Sequence, residues 1–174
     1  MHQVRFTKEH AYEIFSWRYP PPFDFYNLNY SEDAFKELTE DHYFAVFSDE
    51  NEMIGFYCTG QSAQVPSGQF VRAYDEPAID IGFGLKPAWT GRGFGAGFCS
   101  FIFAKVRVQQ DCPLLRLTVA SFNQRAIKLY RKLGFQPQKS FYHNQIEFLT
   151  MVKSSPKERI TVVFNGKKVM LKEE

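Results

Sequence analysis

The sequence predicts one domain that mixes helices and strands, of the α/β or α+β class. Its 174 residues fit a single domain, and 44% hydrophobic residues are enough to bury a core. Strand-like and helix-like patterns are interspersed along the chain, without internal repeats or low-complexity tracts. Residues 78–134 read as strand, helix, strand, helix, which is a βαβα core.

The first 38 residues predict a strand and two helices around an irregular segment. Gln3–Phe6 reads as a short strand, and Thr7 can cap the helix that follows it. The segment "SWRYPPPFDFYNLNY", residues 16–30, cannot be one helix because its three prolines lack the amide hydrogen. Ser31 can cap a second helix that ends near Leu38.

Next comes a predicted hairpin. The stretch "HYFAVFSDENEMIGFYCTG" has two β-rich runs around a polar turn. Residues 61–77 are less regular. The following run, "AIDIGFGLKP", is a strand that carries Asp80 near its start.

The second half of the core is a glycine-rich turn, a helix to about Gln109, the strand "LLRLTV" and a helix opened by Asn123. One face of that last helix has apolar spacing and Tyr130, while basic residues that include Arg125 form the other face. Gly134 stands where a glycine ends a helix. The members of the apolar face are Ala126, Leu129, Tyr130 and Leu133.

Four β-rich runs complete the chain. Gln138–Tyr142 and Glu147–Val152 read as strands. In "RITVVFNGKKVML", Asn165-Gly166 is the strongest two-residue hairpin signal. We therefore expect a main domain over residues 1–153 and a hairpin extension over 154–174, packed on the same domain.

Composition and charge narrow the function classes. A net charge of +2 and a pI near 8.4 are too mild to indicate a nucleic-acid partner. The chain has no apolar run of membrane-spanning length and no signal-peptide pattern at its start. Its three cysteines are odd in number and lack the spacing of metal ligands. We therefore expect reduced thiols, no metal and a cytoplasmic location.

The stretch "KPAWTGRGFGAGF", residues 86–98, raises the question of a phosphate ligand. A P-loop is excluded because no lysine followed by serine or threonine ends the turn. A dinucleotide fingerprint is disfavoured, although Gly91, Gly93 and Ala96 match its spacing and Asp111 lies about twenty residues on. "KPAWT" separates the strand from the glycines, and Asp111 precedes the second strand instead of ending it.

The third interpretation is a turn whose amide groups, with the positive end of the next helix, hold a pyrophosphate. Small residues at Gly91, Gly93, Gly95 and Ala96 allow an anion to touch the backbone. Arg92 adds a positive charge at the rim. The sequence thus favours an anion site without metal or lysine.

Two blocks in the correct order, "TGRGFGAGF" and "VASFNQRAIKLYRKLGF", resemble the GCN5-related N-acetyltransferase (GNAT) superfamily. Thr90 stands where the superfamily usually has Gln or Arg, but a bacterial branch with "GLxPxxTGxGxG" and "RLTVAxFNxRAIxxY" has the same threonine. The resemblance is strong over residues 78–152 and does not cover the last twenty. The second block matches at Asn123, Ala126, Leu129, Tyr130, Gly134 and Phe135.

The resemblance implies a mixed, mostly antiparallel sheet of six or seven strands, flanked by helices, with one splayed strand pair. It also implies acetyl-CoA as cosubstrate, with its pyrophosphate on residues 90–96. The pantetheine arm would lie between the strand at Phe83–Leu85 and the one at Leu117–Val119, with the Leu85 amide facing the thioester oxygen. Asn123 would hydrogen-bond the arm, and it can also be a plain helix cap.

By the same resemblance, Tyr130 would donate a proton to the departing thiolate, although its spacing alone indicates a core residue. Asp80 is the first choice for a base, and Glu147, His143 or a water relay are alternatives. Cys99 and Cys112 have no base paired with them, so we expect direct transfer without an acyl-enzyme.

The aromatic segment at residues 16–30 would form the acceptor side, with Asp24 attracting a cationic amine and Tyr26 lining the wall. Trp17 and Phe25 are more easily explained as core residues. The expected activity is N-acetylation of a small-molecule or peptide amine by a monomer or homodimer. The acceptor stays open among protein N-termini, polyamines, amino acids and antibiotic amines, and the alternative is a non-catalytic acyl-CoA sensor.

Overall fold

A seven-stranded sheet organises the chain. The structure is a computed structural model that describes residues 1–40, 42–109, 114–154, 161–164 and 167–170. The sheet strands are β1 (His2–Arg5), β2 (Tyr43–Phe47), β3 (Met53–Thr59), β4 (Ile79–Leu85), β5 (Leu114–Ala120), β6 (Gln136–His143) and β7 (Ile146–Ser154).

The strand order is β1-β2-β3-β4-β5-β7-β6, and every pair is antiparallel except β4–β5. The parallel pair is in register only at Ile79 with Leu115 and at Asp80 with Arg116. Beyond these positions β4 and β5 run on without pairing, which opens a gap between their carboxyl ends. The mixed sheet with a splayed strand pair is therefore confirmed.

Helices cover both faces of the sheet. On one face, α1 (Lys8–Ser16) and α2 (Glu32–Glu40) bury Ala11, Phe15 and Leu38 against β2 and β3. The remaining helices are α3 (Ser67–Phe70), a short helix before β4, and the longer α4 (Gly95–Gln109) and α5 (Gln124–Lys132). Helices α4 and α5 lie on the other face and bury the larger core cluster together with β3, β4 and β5.

Local sequence signals explain where several helices begin and end. The Ser31 hydroxyl accepts the Ala34 amide at 3.1 Å, and the Asn123 side chain accepts the Ala126 amide at 3.2 Å. Both are N-caps that satisfy amides left without intrahelical partners. Gly134 has a φ of +92°, the left-handed conformation that glycine adopts after a helix.

The predicted apolar face of α5 packs against the main core, although Ile127 is the residue of that helix that is buried most deeply. The segment predicted to be less regular, residues 61–77, contains α3, and a 3₁₀ turn at Gly60–Ala63 overlaps its start. These pieces are too short for periodicity to reveal. Helix α3 contacts β6, where Gly68 lies against Tyr74 and Phe141, whereas the 3₁₀ turn contacts β3 and β4.

The C-terminal extension contains two strands, β8 (Thr161–Phe164) and β9 (Lys167–Met170), which pair with each other as a separate sheet. Their register brings Phe164 opposite Lys167. Asn165 and Gly166 lie outside the described residues, and packing of the hairpin on the main domain stays a prediction. None of the described helices has the length and apolar character needed to cross a membrane.

Candidate active site

One cavity of about 720 Å³ follows the gap between β4 and β5. It runs from the glycine turn, past the start of α5, to the aromatic segment that follows α1. Its lining combines glycine and alanine residues, where the backbone is exposed, with aromatic rings. The lining residues are Ile14, Trp17, Tyr19, Phe23, Phe25, Tyr26, Leu28, Phe56, Phe83, Gly84, Leu85, Thr90, Gly91, Gly93, Gly95, Ala96, Phe98, Cys99, Thr118, Val119, Asn123, Arg125, Ala126, Leu129 and Tyr130.

The glycine turn presents a row of amide groups. Gly91 and Gly93 have φ values of +72° and +85°, which only glycine adopts without strain. Within the described chain, the amides of residues 91–97 donate to no other protein group. A Cβ at Gly93 would have no atom within 4 Å, so the backbone there is open to a ligand. This arrangement fits the pyrophosphate of coenzyme A at a helix N-terminus.

Arg125 supplies the positive charge beside this turn. Its NH1 lies 3.7 Å from the point that a Cβ on Gly91 would occupy, and its guanidinium stacks 4.6 Å from the Phe23 ring. Arg92 is exposed and does not line the cavity, and its NH1 donates to the Ala88 carbonyl at 3.3 Å.

Sequence patterns did not single out Arg125, because it lies on the basic face of α5. The signal that could have identified Arg125 is its position, two residues after the helix cap Asn123. In the first turn of a helix, even a side chain of the polar face can reach the loops around the N-terminus.

The gap between the strands exposes backbone hydrogen-bonding groups of β4. The Lys86 amide donates to the Ile54 carbonyl of β3 at 2.8 Å. Because successive residues of a strand face opposite neighbours, the backbone groups of Phe83 and Leu85 point away from β3 and into the gap. The Tyr19 hydroxyl already donates to the Leu85 carbonyl there, at 2.8 Å.

Asn123 connects the cofactor side with the aromatic segment. Its side-chain oxygen caps α5, while its Nδ2 donates to the Tyr26 hydroxyl at 3.2 Å. Burial raises the pKa of Tyr26, partly offset by the bond from Asn123. The cap is a feature of the structure, and the contact with coenzyme A stays a prediction.

Tyr130 lies at the inner wall of the cavity. Its ring packs edge-to-face on Phe83, with centroids 5.8 Å apart, and contacts Phe135 at 6.2 Å. Among the described residues, its hydroxyl has no hydrogen-bond partner. Burial, with smaller effects of Cys99 and Tyr26, raises its pKa well above the ordinary value. The phenol therefore keeps its proton at neutral pH and has one to donate.

Cys99 also lines the cavity, but it is not suited to act as a nucleophile. Burial raises the pKa of its thiol to about 12, so the reactive thiolate is scarce at neutral pH. Cys112 and Asp111 lie outside the described residues. The geometry thus favours direct transfer.

The structure disfavours Asp80 as a base. Its carboxylate is 4% exposed, lies outside the cavity lining, and pairs with Arg116 at 2.7 and 2.8 Å. The alternatives Glu147 and His143 do not line the cavity either, and His143 Nδ1 lies 2.6 Å from the Ser67 hydroxyl.

The aromatic segment does line the cavity, through Trp17, Tyr19, Phe23, Phe25, Tyr26 and Leu28. Phe25 is 45% exposed and contributes to the wall, whereas Trp17 is 5% exposed and belongs to a core cluster as well. Tyr26 lies in the lining, as expected for the acceptor side. Asp24 is exposed outside the lining, because the 3₁₀ turn at Phe23–Tyr26 directs it to solvent, so its predicted role is disfavoured.

Comparison with known proteins gives a family model that matches residues 8–135, that of the acetyltransferase (GNAT) family. A curated relative, the thialysine N-epsilon-acetyltransferase of Bos taurus, is 38% identical over 52 residues. The matched stretch covers 30% of this chain and 30% of the bovine protein.

Solved structures share the fold at low identity. The aminoglycoside acetyltransferase AAC(6')-Ib, in complex with ribostamycin and coenzyme A, has a TM-score of 0.69 and 14% identity, covering 87% of this chain and 92% of its own. Mutant forms of the spermidine/spermine N-acetyltransferase SpeG from Vibrio cholerae have a TM-score of 0.62 and 17% identity, over 88% and 93%. With the family model spanning most of the sequence, the chain belongs to the GNAT acetyltransferase family.

Proposed function

We propose that this protein is an acetyl-CoA-dependent N-acetyltransferase that moves an acetyl group directly to a primary amine of a small molecule or peptide. One observation carries the proposal: in the described part of the chain, the glycine turn and the β4–β5 gap expose backbone amides to one and the same cavity. Tyr130, whose hydroxyl has no hydrogen-bond partner among the described residues, lines that cavity as well. These three features suit a pyrophosphate, an extended pantetheine arm and a leaving thiolate in turn.

Residues of this chain would hold the cosubstrate without a metal. The amides of residues 91–97 and the Arg125 guanidinium would bind the pyrophosphate, and Thr90, Gly95 and Ala96 would contact it along the turn. The exposed backbone of Phe83 and Leu85 would pair with the arm, as an added strand does at an open sheet edge. Acetyl-CoA supplies the acetyl group as a thioester, whose thiolate is a good leaving group.

Tyr130 would complete the chemistry as the general acid. The amine forms its bond to the acetyl carbon while the carbon–sulfur bond breaks, and the sulfur takes the Tyr130 proton. The amine nitrogen loses one proton to water, and Tyr130 regains one from solvent, so the step balances. With no carboxylate or imidazole in the described lining, the amine must enter uncharged.

The relatives support an amine acceptor at the level of reaction class. The bovine protein is named for N-epsilon acetylation of thialysine, SpeG for spermidine and spermine, and AAC(6')-Ib for aminoglycosides. All three names describe acetyl transfer to an amine, but the acceptor molecules that they name are different.

The test is a binding titration of the purified protein with acetyl-CoA, coenzyme A and NAD⁺, followed by thiol-release assays with amines. We expect binding of both CoA compounds and none of NAD⁺. Gly93→Asp should abolish that binding, because it adds a negative charge where the pyrophosphate lies.

A matched control is Gly60→Asp. Gly60 also has a positive φ, +75°, with open space around its Cβ position, but it lies outside the cavity lining. The two variants share the backbone strain and the added charge. Equal CoA affinity in both folded variants contradicts the proposed site, and CoA binding without turnover of any amine indicates a sensor.

A further inference from the structure

The acceptor end of the cavity lacks negative charge. Of the lining residues in the described parts of the chain, none is an aspartate or glutamate, and Arg125 carries a full charge. A cationic acceptor with several ammonium groups would lose water there without gaining a counter-charge, which is costly.

Four carboxylates outside the lining are either paired with a basic side chain or exposed to solvent. Glu13 and Glu52 both bind Lys86 Nζ at 3.1 Å, at the end of β4. Asp80 is held by Arg116, and Asp24 is exposed outside the lining. The lack of acidic groups is therefore a property of the site, beyond the choice of lining residues.

Flat rings form the wall instead. Phe25 packs edge-to-face on Phe122 at 5.8 Å and contacts Phe148 at 6.1 Å, which fixes its position although it is 45% exposed. Trp17 contacts Phe56 at 5.9 Å on the opposite side of the segment. Such rings bind other flat apolar groups by offset or edge-to-face contact.

We infer that the acceptor is a primary amine with one positive charge at most, carried next to an aromatic or similarly flat apolar body. Polyamines and aminoglycosides are excluded as good substrates. This inference rests on the proposed acetyl transfer and names its substrate class. The apolar wall also favours the uncharged amine by withholding water, which provides the nucleophile without a base.

The experiment compares kcat/KM across phenethylamine, tryptamine, the tripeptide Phe-Ala-Ala, spermidine and kanamycin, at saturating acetyl-CoA. We expect the aromatic amines to exceed both polycations by at least about 100-fold. Preference for the free amines or for the tripeptide identifies which source of the aromatic amine the site takes. If the protein does not bind acetyl-CoA, the proposed function is overturned. If it binds acetyl-CoA but acetylates only a polycation, or none of these five amines, only the inference about the acceptor is overturned.

A charge inserted into the wall sharpens the test. Phe25→Glu replaces a partly exposed ring by a carboxylate and should cut the preference for phenethylamine over spermidine by about tenfold or more. Phe70→Glu is the matched control, because Phe70 is 88% exposed and lies outside the cavity. It should leave the preference unchanged. An unaltered preference in folded Phe25→Glu overturns the inference.

Discussion

Replacing Asp80 separates a structural role from a catalytic one. The Asp80 carboxylate accepts Arg116 Nε at 2.7 Å, Arg116 NH2 at 2.8 Å and Gln64 Nε2 at 2.7 Å. Arg116 is 1% exposed and donates further to the Glu76 carbonyl at 2.9 Å. The two residues are also the last registered pair of β4 and β5 before the gap.

The expected loss of stability follows from this burial. Asp80→Asn keeps the shape of the side chain but leaves a buried guanidinium without its counter-charge, which costs about 3–5 kcal/mol. For a domain of this size, 1 kcal/mol shifts Tm by about 2–4 °C, so Tm should fall by roughly 6–20 °C. The double variant Asp80→Leu with Arg116→Met removes both charges and should recover most of that loss.

The assay combines thermal unfolding, followed by circular dichroism, with steady-state kinetics well below the lowered Tm. We expect kcat of Asp80→Asn within about tenfold of the parent and a pH–rate profile of unchanged shape, since Asp80 lies outside the cavity. A general base contributes about 10² to 10⁴-fold. Loss of kcat in that range with an unchanged Tm would refute the structural role and restore Asp80 as the base.

Four further predictions concern the site and the extension. Tyr130→Phe should lower kcat about tenfold or more with unchanged acetyl-CoA affinity, measured by titration and kinetics; a parent-like kcat would return Tyr130 to the core. Burial raises the pKa of Tyr130, so the phenol should stay protonated over the tested range. The rate should therefore rise with pH as the amine loses its proton and should not fall again below about pH 10. A fall of the rate between pH 8 and 9 contradicts this. Asp24→Asn should leave KM for the amine unchanged, since Asp24 is exposed outside the lining, and a raised KM would restore its role. Truncation after Lys153 should lower Tm or change the oligomeric state in gel filtration without removing activity; loss of activity alone would contradict this.

Much of the fold was accessible from the sequence because its signals are local. The cap at Asn123 and the left-handed Gly134 depend on residues within a few positions, and the structure has both. The glycine turn was recognisable for the same reason, since an open backbone at a helix start needs small residues there. Arg125 was missed because its reach toward the turn depends on the loop that it faces.

Asp80 and Asp24 show what local reasoning cannot supply. Asp80 was selected because it lies on the strand that leads to the glycines, but only the pairing with β5 brings Arg116 to it and buries both charges. The composition of residues 16–30 suggests an acceptor wall, but the 3₁₀ turn decides that Phe25 lines the cavity and Asp24 does not.

The sequence alone thus determined the order of most elements and the glycine turn, because each depends on the chemistry of neighbours in the chain, whereas Tyr130 became a candidate through the family resemblance. The tertiary structure decided which charges are neutralised and which remain in the cavity. Ion pairing and burial act between residues such as Asp80 and Arg116, 36 positions apart, and that distance in sequence carries no signal of contact in space.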